Sequence, residues 1–193
     1  MMSTAGILLT GGRSRRMGVD KAQLAVDGES LAARAARVLV AMCDPVVEVG
    51  DGHSGLPHVR ESPSGSGPLA ALAAGGTALR ALMHHGPALL LAVDLPRVDE
   101  GLLQWLRDRP GAPTAVPEVD GRLQPVCARY GPDALIAADS LVTGGIRALR
   151  ALFDVVDHDV ITESEWRLVA AVDAFTDIDT PADAARFGIV LPD

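Results

Sequence analysis

Short, uninterrupted apolar runs alternate along the chain with longer stretches whose apolar positions recur at helical spacing. Ala5–Leu9, Val46–Val49 and Ala88–Val93 read as buried strands, with Ala88–Val93 the best candidate for the centre of a sheet. Pro57–Arg60, Thr114–Val116, Val126–Tyr130 and Leu168–Val172 read as further strands. Ser30 has the chemistry of an N-cap for a helix running to about Cys43. Gly67-Pro68 opens an Ala/Leu helix ending near His84, because proline at the first helical position gives up an N–H that would lack a partner anyway. Helices are also predicted at Asp99–Arg107, Pro132–Leu141, Gly145–Phe153 and Pro181–Phe187, the last capped by Thr180. Strand and helix alternate throughout, which predicts an α/β fold with a mostly parallel sheet and helices on both faces. Ligands of such folds bind at the carboxyl ends of the strands. With no repeat, low-complexity tract or linker, residues 1–193 are expected to form a single domain.

Composition supports this picture. Apolar residues make up 48% and aromatics only 3%, so Ala, Val and Leu fill the core, as suits parallel strands under Ala-rich helices. A net charge of -8 disfavours general binding to nucleic acid or an anionic membrane, and any anionic ligand must meet a local basic patch. Cys43 and Cys127 are too few for a disulfide framework and lack metal-ligand spacing. Without a leader pattern or a membrane-length apolar run, a cytoplasmic location is expected.

The local patch follows the first strand. In Leu9-Thr10-Gly11-Gly12-Arg13-Ser14-Arg15-Arg16-Met17-Gly18-Val19-Asp20-Lys21, glycines let the backbone approach a ligand and turn N–H groups toward phosphate oxygens. Arg13, Arg15, Arg16 and Lys21 face one acid, Asp20, across residues 13–21. No Gly-Lys-Ser/Thr closes the loop and no Gly-x-Gly-x-x-Gly occurs in it, so neither a Walker A loop nor a dinucleotide fingerprint fits. Of 17 basic residues Lys21 alone is lysine. A compact ammonium sits between phosphates as a point charge where a planar guanidinium cannot, which marks Lys21 as a phosphate ligand. Arg16 is the favoured arginine for a phosphate contact, while Arg13 and Arg15 read equally well as solvated loop charges.

A second candidate closes the central run, Leu89-Leu90-Leu91-Ala92-Val93-Asp94-Leu95-Pro96. A carboxylate at the end of a buried strand needs its charge offset, and Mg²⁺ would do so while bridging to substrate phosphates. A turn or N-cap aspartate satisfies Asp-x-Pro equally well. The five histidines show no ligand spacing, and His84-His85 sits where a helix dipole favours a cation. Cys127 reads as a small buried hydrophobe, and Trp105 and Trp166 as packing residues.

Leu-x-Gly-Gly-x-x-x-Arg-Met-Gly-x-Asp-Lys after the first strand resembles the signature of molybdenum cofactor guanylyltransferases and their nucleotidyltransferase relatives. The resemblance implies a Rossmann-like three-layer α/β/α sandwich. It implies attack of a phosphate-bearing acceptor on the α-phosphate of a nucleoside triphosphate, with Mg²⁺ as cofactor and release of pyrophosphate. GTP and a molybdopterin-type acceptor are the substrates it implies, with transient contact to other proteins of molybdenum cofactor biosynthesis. Lys21 and Arg16 would then be catalytic; Leu9, Thr10, Gly11, Gly12, Lys21, Glu61 and Asp94 would hold the nucleotide; Asp94 and Asp177 would hold the metal. Glu61 stands where relatives carry an aspartate, and a plain surface glutamate is the other reading. Asp177 and Asp179 stand where relatives carry amides, so they join Asp94 at the metal or serve the cap of the last helix, with Asp177 favoured for a positional role. Thr10 replaces an alanine common in relatives, which leaves cytidylyl transfer open beside guanylyl transfer. A non-catalytic nucleotide-binding module is the rival from another class, and it would dispense with either Lys21 or Asp94.

Overall fold

The structure, a computed structural model, describes residues 3–11 and 20–189. Its strands are β1 (Ala5–Leu9), β2 (Ala25–Val26), β3 (Glu29–Ser30), β4 (Val46–Val49), β5 (His58–Val59), β6 (Ala88–Ala92), β7 (Thr114–Val119), β8 (Arg122–Leu123), β9 (Cys127–Tyr130) and β10 (His158–Ile161). Its helices are α1 (Leu31–Val40), α2 (Pro68–Ala81), α3 (Glu100–Asp108), α4 (Pro132–Thr143), α5 (Glu163–Trp166) and α6 (Pro181–Arg186). The main sheet runs β10-β7-β9-β6-β1-β4-β5, with β8 paired to β7 and β2-β3 forming a separate ribbon.

The period of two along β1 determines the layers. Ala5, Ile7 and Leu9 face α2 and α4, while Leu8 faces α1 and α3, so each face of the sheet buries its own core. The expected caps are present, Ser30 Oγ accepting from Ala33 N at 3.1 Å and Thr180 Oγ1 from Asp183 N at 3.2 Å, and Asp99 also caps α3, its Oδ1 accepting from Leu102 N at 2.9 Å. Pro68 starts α2 as predicted.

Two expectations fail. Leu168–Val172 is not a strand: Leu168 and Val172 are exposed, and the edge position beside β7 goes to the more polar His158–Ile161. The apolar residues of 168–172 have no sheet to bury them. Gly145–Phe153 contributes only a 3-10 turn at Leu149–Asp154. The sheet is mostly parallel as expected, and within the main path β9 lies antiparallel between β6 and β7. No helix lies between β7 and β9, and a parallel return needs a long crossover, so the chain doubles back.

A third, smaller core lies beside the sheet. Ala22 lies in a 3-10 turn at Lys21–Gln23 and Leu24 follows it, and the two pack with Leu31, Val93, Ile178, Ala184 and Phe187. Three segments distant in sequence are therefore joined at one end of the sheet.

Candidate active site

That small core presents charged neighbours. Ala22 is next to Lys21, Val93 next to Asp94, and Ile178 sits between Asp177 and Asp179. Burying the three apolar residues together brings the four charged ones together. Lys21 Nζ lies 3.0 Å from Asp94 Oδ2 and 2.7 Å from Asp179 Oδ1, with 14% of its side chain exposed. Burial works against the ammonium, but the hydrogen bonds and charges of Asp179 and Asp94 outweigh it and raise the lysine above its ordinary value. The Asp177 carboxyl is pushed up, first by burial and then by repulsion from Asp179 and Asp94. Backbone bonds fix the frame: Val93 N donates to Leu9 O at 2.9 Å, and Ile178 N donates to Asp94 O at 3.1 Å. Because Leu9 and Ala92 are register partners in the parallel β1–β6 pair, the glycine-rich loop and the Asp94 turn leave the sheet side by side at its carboxyl end.

Among the sequence-predicted residues, the structure brings together Lys21, Asp94 and Asp177. The direct contact to Lys21 from the C-terminal segment is made by Asp179. The cap of α6 is made by Thr180 and Asp183, leaving Asp177 and Asp179 to the charged cluster. Leu9 ends β1 with a buried side chain, and Gly11 N donates to Val49 O at 3.3 Å. Glu61 reaches the loop: its Oε2 would lie 3.9 Å from a Cβ placed on Gly11, and its Oε1 accepts from Gly65 N at 2.8 Å. Gly12 and Arg16, like Arg13 and Arg15, lie outside the described residues. Cys127 and Cys43 are buried thiols raised to about 12, chiefly by that burial, which makes neither a nucleophile. Trp166 is fully buried and donates Nε1–H to Glu118 O at 3.0 Å, a packing residue as expected.

Sequence reasoning missed Glu48. It is fully buried on β4, yet it is ionised, held at about 2 by donors that outweigh its burial. Thr10 Oγ1 donates to Oε1 at 2.5 Å, the main-chain N–H groups of Gly52 and His53 donate to Oε1 at 2.8 and 3.0 Å, and Ser54 donates its N–H at 2.8 Å and its hydroxyl to Oε2. The only signal in the sequence is the acid that interrupts Val46-Val47-Glu48-Val49.

Mg²⁺ suits this site by its chemistry. Among the described residues no group of three or more His, Cys, Asp or Glu is gathered to hold a metal unaided. Mg²⁺ does not need one, since it takes one or two carboxylates and completes its shell with water and substrate phosphates. Asp94 and Asp177 offer such oxygens, and a cation would offset both the burial that chiefly raises Asp177 and the repulsion from Asp179 and Asp94 that adds to it.

The family described as "MobA-like NTP transferase domain" matches residues 6–158. A "probable molybdenum cofactor guanylyltransferase" of Mycolicibacterium paratuberculosis is 35% identical, over 95% of this chain and 97% of its own length. The crystal structure of molybdopterin-guanine dinucleotide biosynthesis protein A from Archaeoglobus fulgidus superposes with a TM-score of 0.75 at 23% identity, covering 95% of this chain and 96% of that one. A nucleotidyl transferase from Methanothermobacter superposes at 0.72 with 18% identity, covering 95% of each chain.

Proposed function

The chain belongs to the MobA-like NTP transferase family and is a nucleotidyltransferase, and from that premise we propose that it transfers GMP from GTP to the terminal phosphate of molybdenum-bound molybdopterin. The products are pyrophosphate and the guanine dinucleotide form of the cofactor. An oxygen of the acceptor phosphate forms a bond to the α-phosphorus, the bond from that phosphorus to the α–β bridging oxygen breaks, and pyrophosphate leaves with the electron pair.

The observation that carries this reading is the placement of Lys21 between Asp94 and Asp179 at the carboxyl end of the sheet. An ammonium already held by two carboxylates is oriented before substrate arrives. It can exchange a carboxylate for an α-phosphate oxygen and neutralise charge developing there. Arg16 and the N–H groups of the loop from Gly12 on are assigned to the β- and γ-phosphates, with Leu9, Thr10 and Gly11 leading into it because Thr10 N and Gly11 N already donate to Val49 O, and Glu61 is assigned to the nucleotide beside Gly11. When bound through Asp94 and Asp177, Mg²⁺ supplies neutralising charge to the phosphate oxygens. Catalysis here rests on positioning and electrostatics, with no protein nucleophile.

Lys21→Ala tests the assignment. The variant should fold and bind less nucleotide, and its pyrophosphate release with GTP, Mg²⁺ and acceptor should fall by about a hundredfold or more. Wild-type rates in that variant would overturn the role of Lys21. Thermal shifts with GTP, CTP, ATP and UTP test the base, since a ligand that binds only the folded chain raises its melting temperature. GTP is expected to act alone; a response to CTP alone would overturn guanylyl transfer and leave nucleotidyl transfer standing.

A further inference from the structure

The glycine-rich loop begins at Thr10 and ends at Asp20, and both ends lead to one buried carboxylate. Thr10 donates its hydroxyl directly to Glu48. Asp20 reaches Glu48 through His53. Its Oδ1 accepts from Ala22 N at 3.0 Å and so caps the turn that carries Lys21. Its Oδ2 lies 2.8 Å from His53 Nε2. The main-chain N–H of His53 in turn donates to Glu48 Oε1. Each oxygen of Asp20 thus has a separate task, one on the turn of Lys21 and one on the histidine ring.

We propose that Glu48 and His53 are positioning residues that fasten the two ends of the phosphate loop to the end of β4, so that Lys21 is held in place before nucleotide binds. The inference rests on the reading of Lys21 as a phosphate ligand. Glu48 suits an anchor because a buried carboxylate is costly unless its oxygens are filled, and here five donors from residue 10 and residues 52–54 fill them. The loop at 52–54 is thereby wrapped on a fixed charge, and the ring of His53 is carried on that wrapped segment. The approach is close: a Cβ on Gly50 would lie 2.0 Å from Thr10 Oγ1, so only glycine lets the ends of β1 and β4 meet in this way. Thr10 N and Gly11 N both donate to Val49 O, at 3.1 and 3.3 Å, which extends the fastening along the backbone. Asp94 and Asp179 contact Lys21 Nζ itself, whereas Asp20 holds the turn that carries Lys21, so the lysine has two kinds of support.

The single lysine of the chain gives a test that does not depend on turnover. Lys21 is to be acetylated with a water-soluble N-hydroxysuccinimide ester, and its rate read by peptide mass spectrometry in wild type, His53→Ala and His53→Gln, with melting temperature as the control for folding. His53→Ala should label severalfold faster at an unchanged melting temperature. His53→Gln, whose amide N–H can reach Asp20, should return toward the wild-type rate. In pyrophosphate release, kcat of His53→Ala should fall about tenfold or more, with partial rescue in His53→Gln. Equal labelling in wild type and His53→Ala would overturn the proposal whatever the turnover. If His53→Ala does not fold, Asp20→Asn, which keeps the side-chain shape and removes the charge facing His53, is judged by the same rates. A wild-type protein that releases no pyrophosphate with any of the four triphosphates would defeat the transferase mechanism for this chain while leaving the labelling comparison to decide the fastening.

Discussion

A lysine set among arginines and an acid set inside a valine strand illustrate how differently two charged residues reveal themselves. Lys21 was legible because its neighbours in sequence form a spaced motif and because no other lysine dilutes the signal. Glu48 was not, because the groups that make a buried carboxylate tolerable come from residue 10 and from the loop beyond its own strand. Its ionisation gives a prediction with a definite sign. Glu48 is held at about 2 against an ordinary value of 4.5, so the folded chain resists protonating it more than the unfolded chain does. Its contribution is present in full above 4.5 and is lost as pH falls from 4.5 toward 2, a difference of about 3 kcal/mol. Urea unfolding of wild type and Glu48→Gln at pH 7 and pH 3, both about ±0.1, checks this, because the variant should lose distinctly less stability on acidification than wild type. Equal losses in the two proteins would show that Glu48 does not carry the acid sensitivity.

Helix α2 and strand β1 show the same contrast one level up. The proline start of α2 and its Ala/Leu pattern were read correctly from the chain. That the helix must press on β1 is visible only in the contact at Gly75, where a Cβ would lie 2.8 Å from Ile7 Cγ2. Gly75→Ala improves helix propensity by up to about 1 kcal/mol, yet overpacking against β1 should cost about 1–3 kcal/mol and win. A net fall in the midpoint of urea unfolding is expected, and a rise would show that the helix can move away without loss. Failures at this scale also have a common cause. Leu168–Val172 has the composition of a strand but no neighbour to pair with, while His158–Ile161 becomes one because β7 lies beside it. Arg129 on β9 is buried and donates to carbonyls of Leu106, Arg107, Arg109, Ala112 and Pro113, closing the end of α3 and the turn after it. A single arginine serving five carbonyls leaves no periodic trace.

Across the whole molecule, the small third core links the C-terminal segment to the chemistry. Ile178 is fully buried between two aspartates of the charged cluster, and its N–H bonds the carbonyl of Asp94. Ile178→Ala removes about three methylene-sized groups from that core, which joins the C-terminal segment to Ala22, Leu31 and Val93. Amide exchange over residues 178–189 should quicken in the variant, and transfer should fall about tenfold as Asp179 loses its hold on Lys21. Unchanged exchange there would show that the segment is held by something other than this core.

The sequence by itself determined the α/β class, nearly all of the central strands, the caps of α1 and α6, and the candidates Lys21 and Asp94. Each of these rests on spacing within a few residues, where side-chain period and turn chemistry act locally. Only the tertiary structure decided that β9 runs antiparallel, that β10 takes the edge, that Asp179 joins Lys21, and that Glu48 binds the start of the phosphate loop directly and its end through His53. Those outcomes depend on which distant segments bury surface together, and the charged residues of the site follow their apolar neighbours into place.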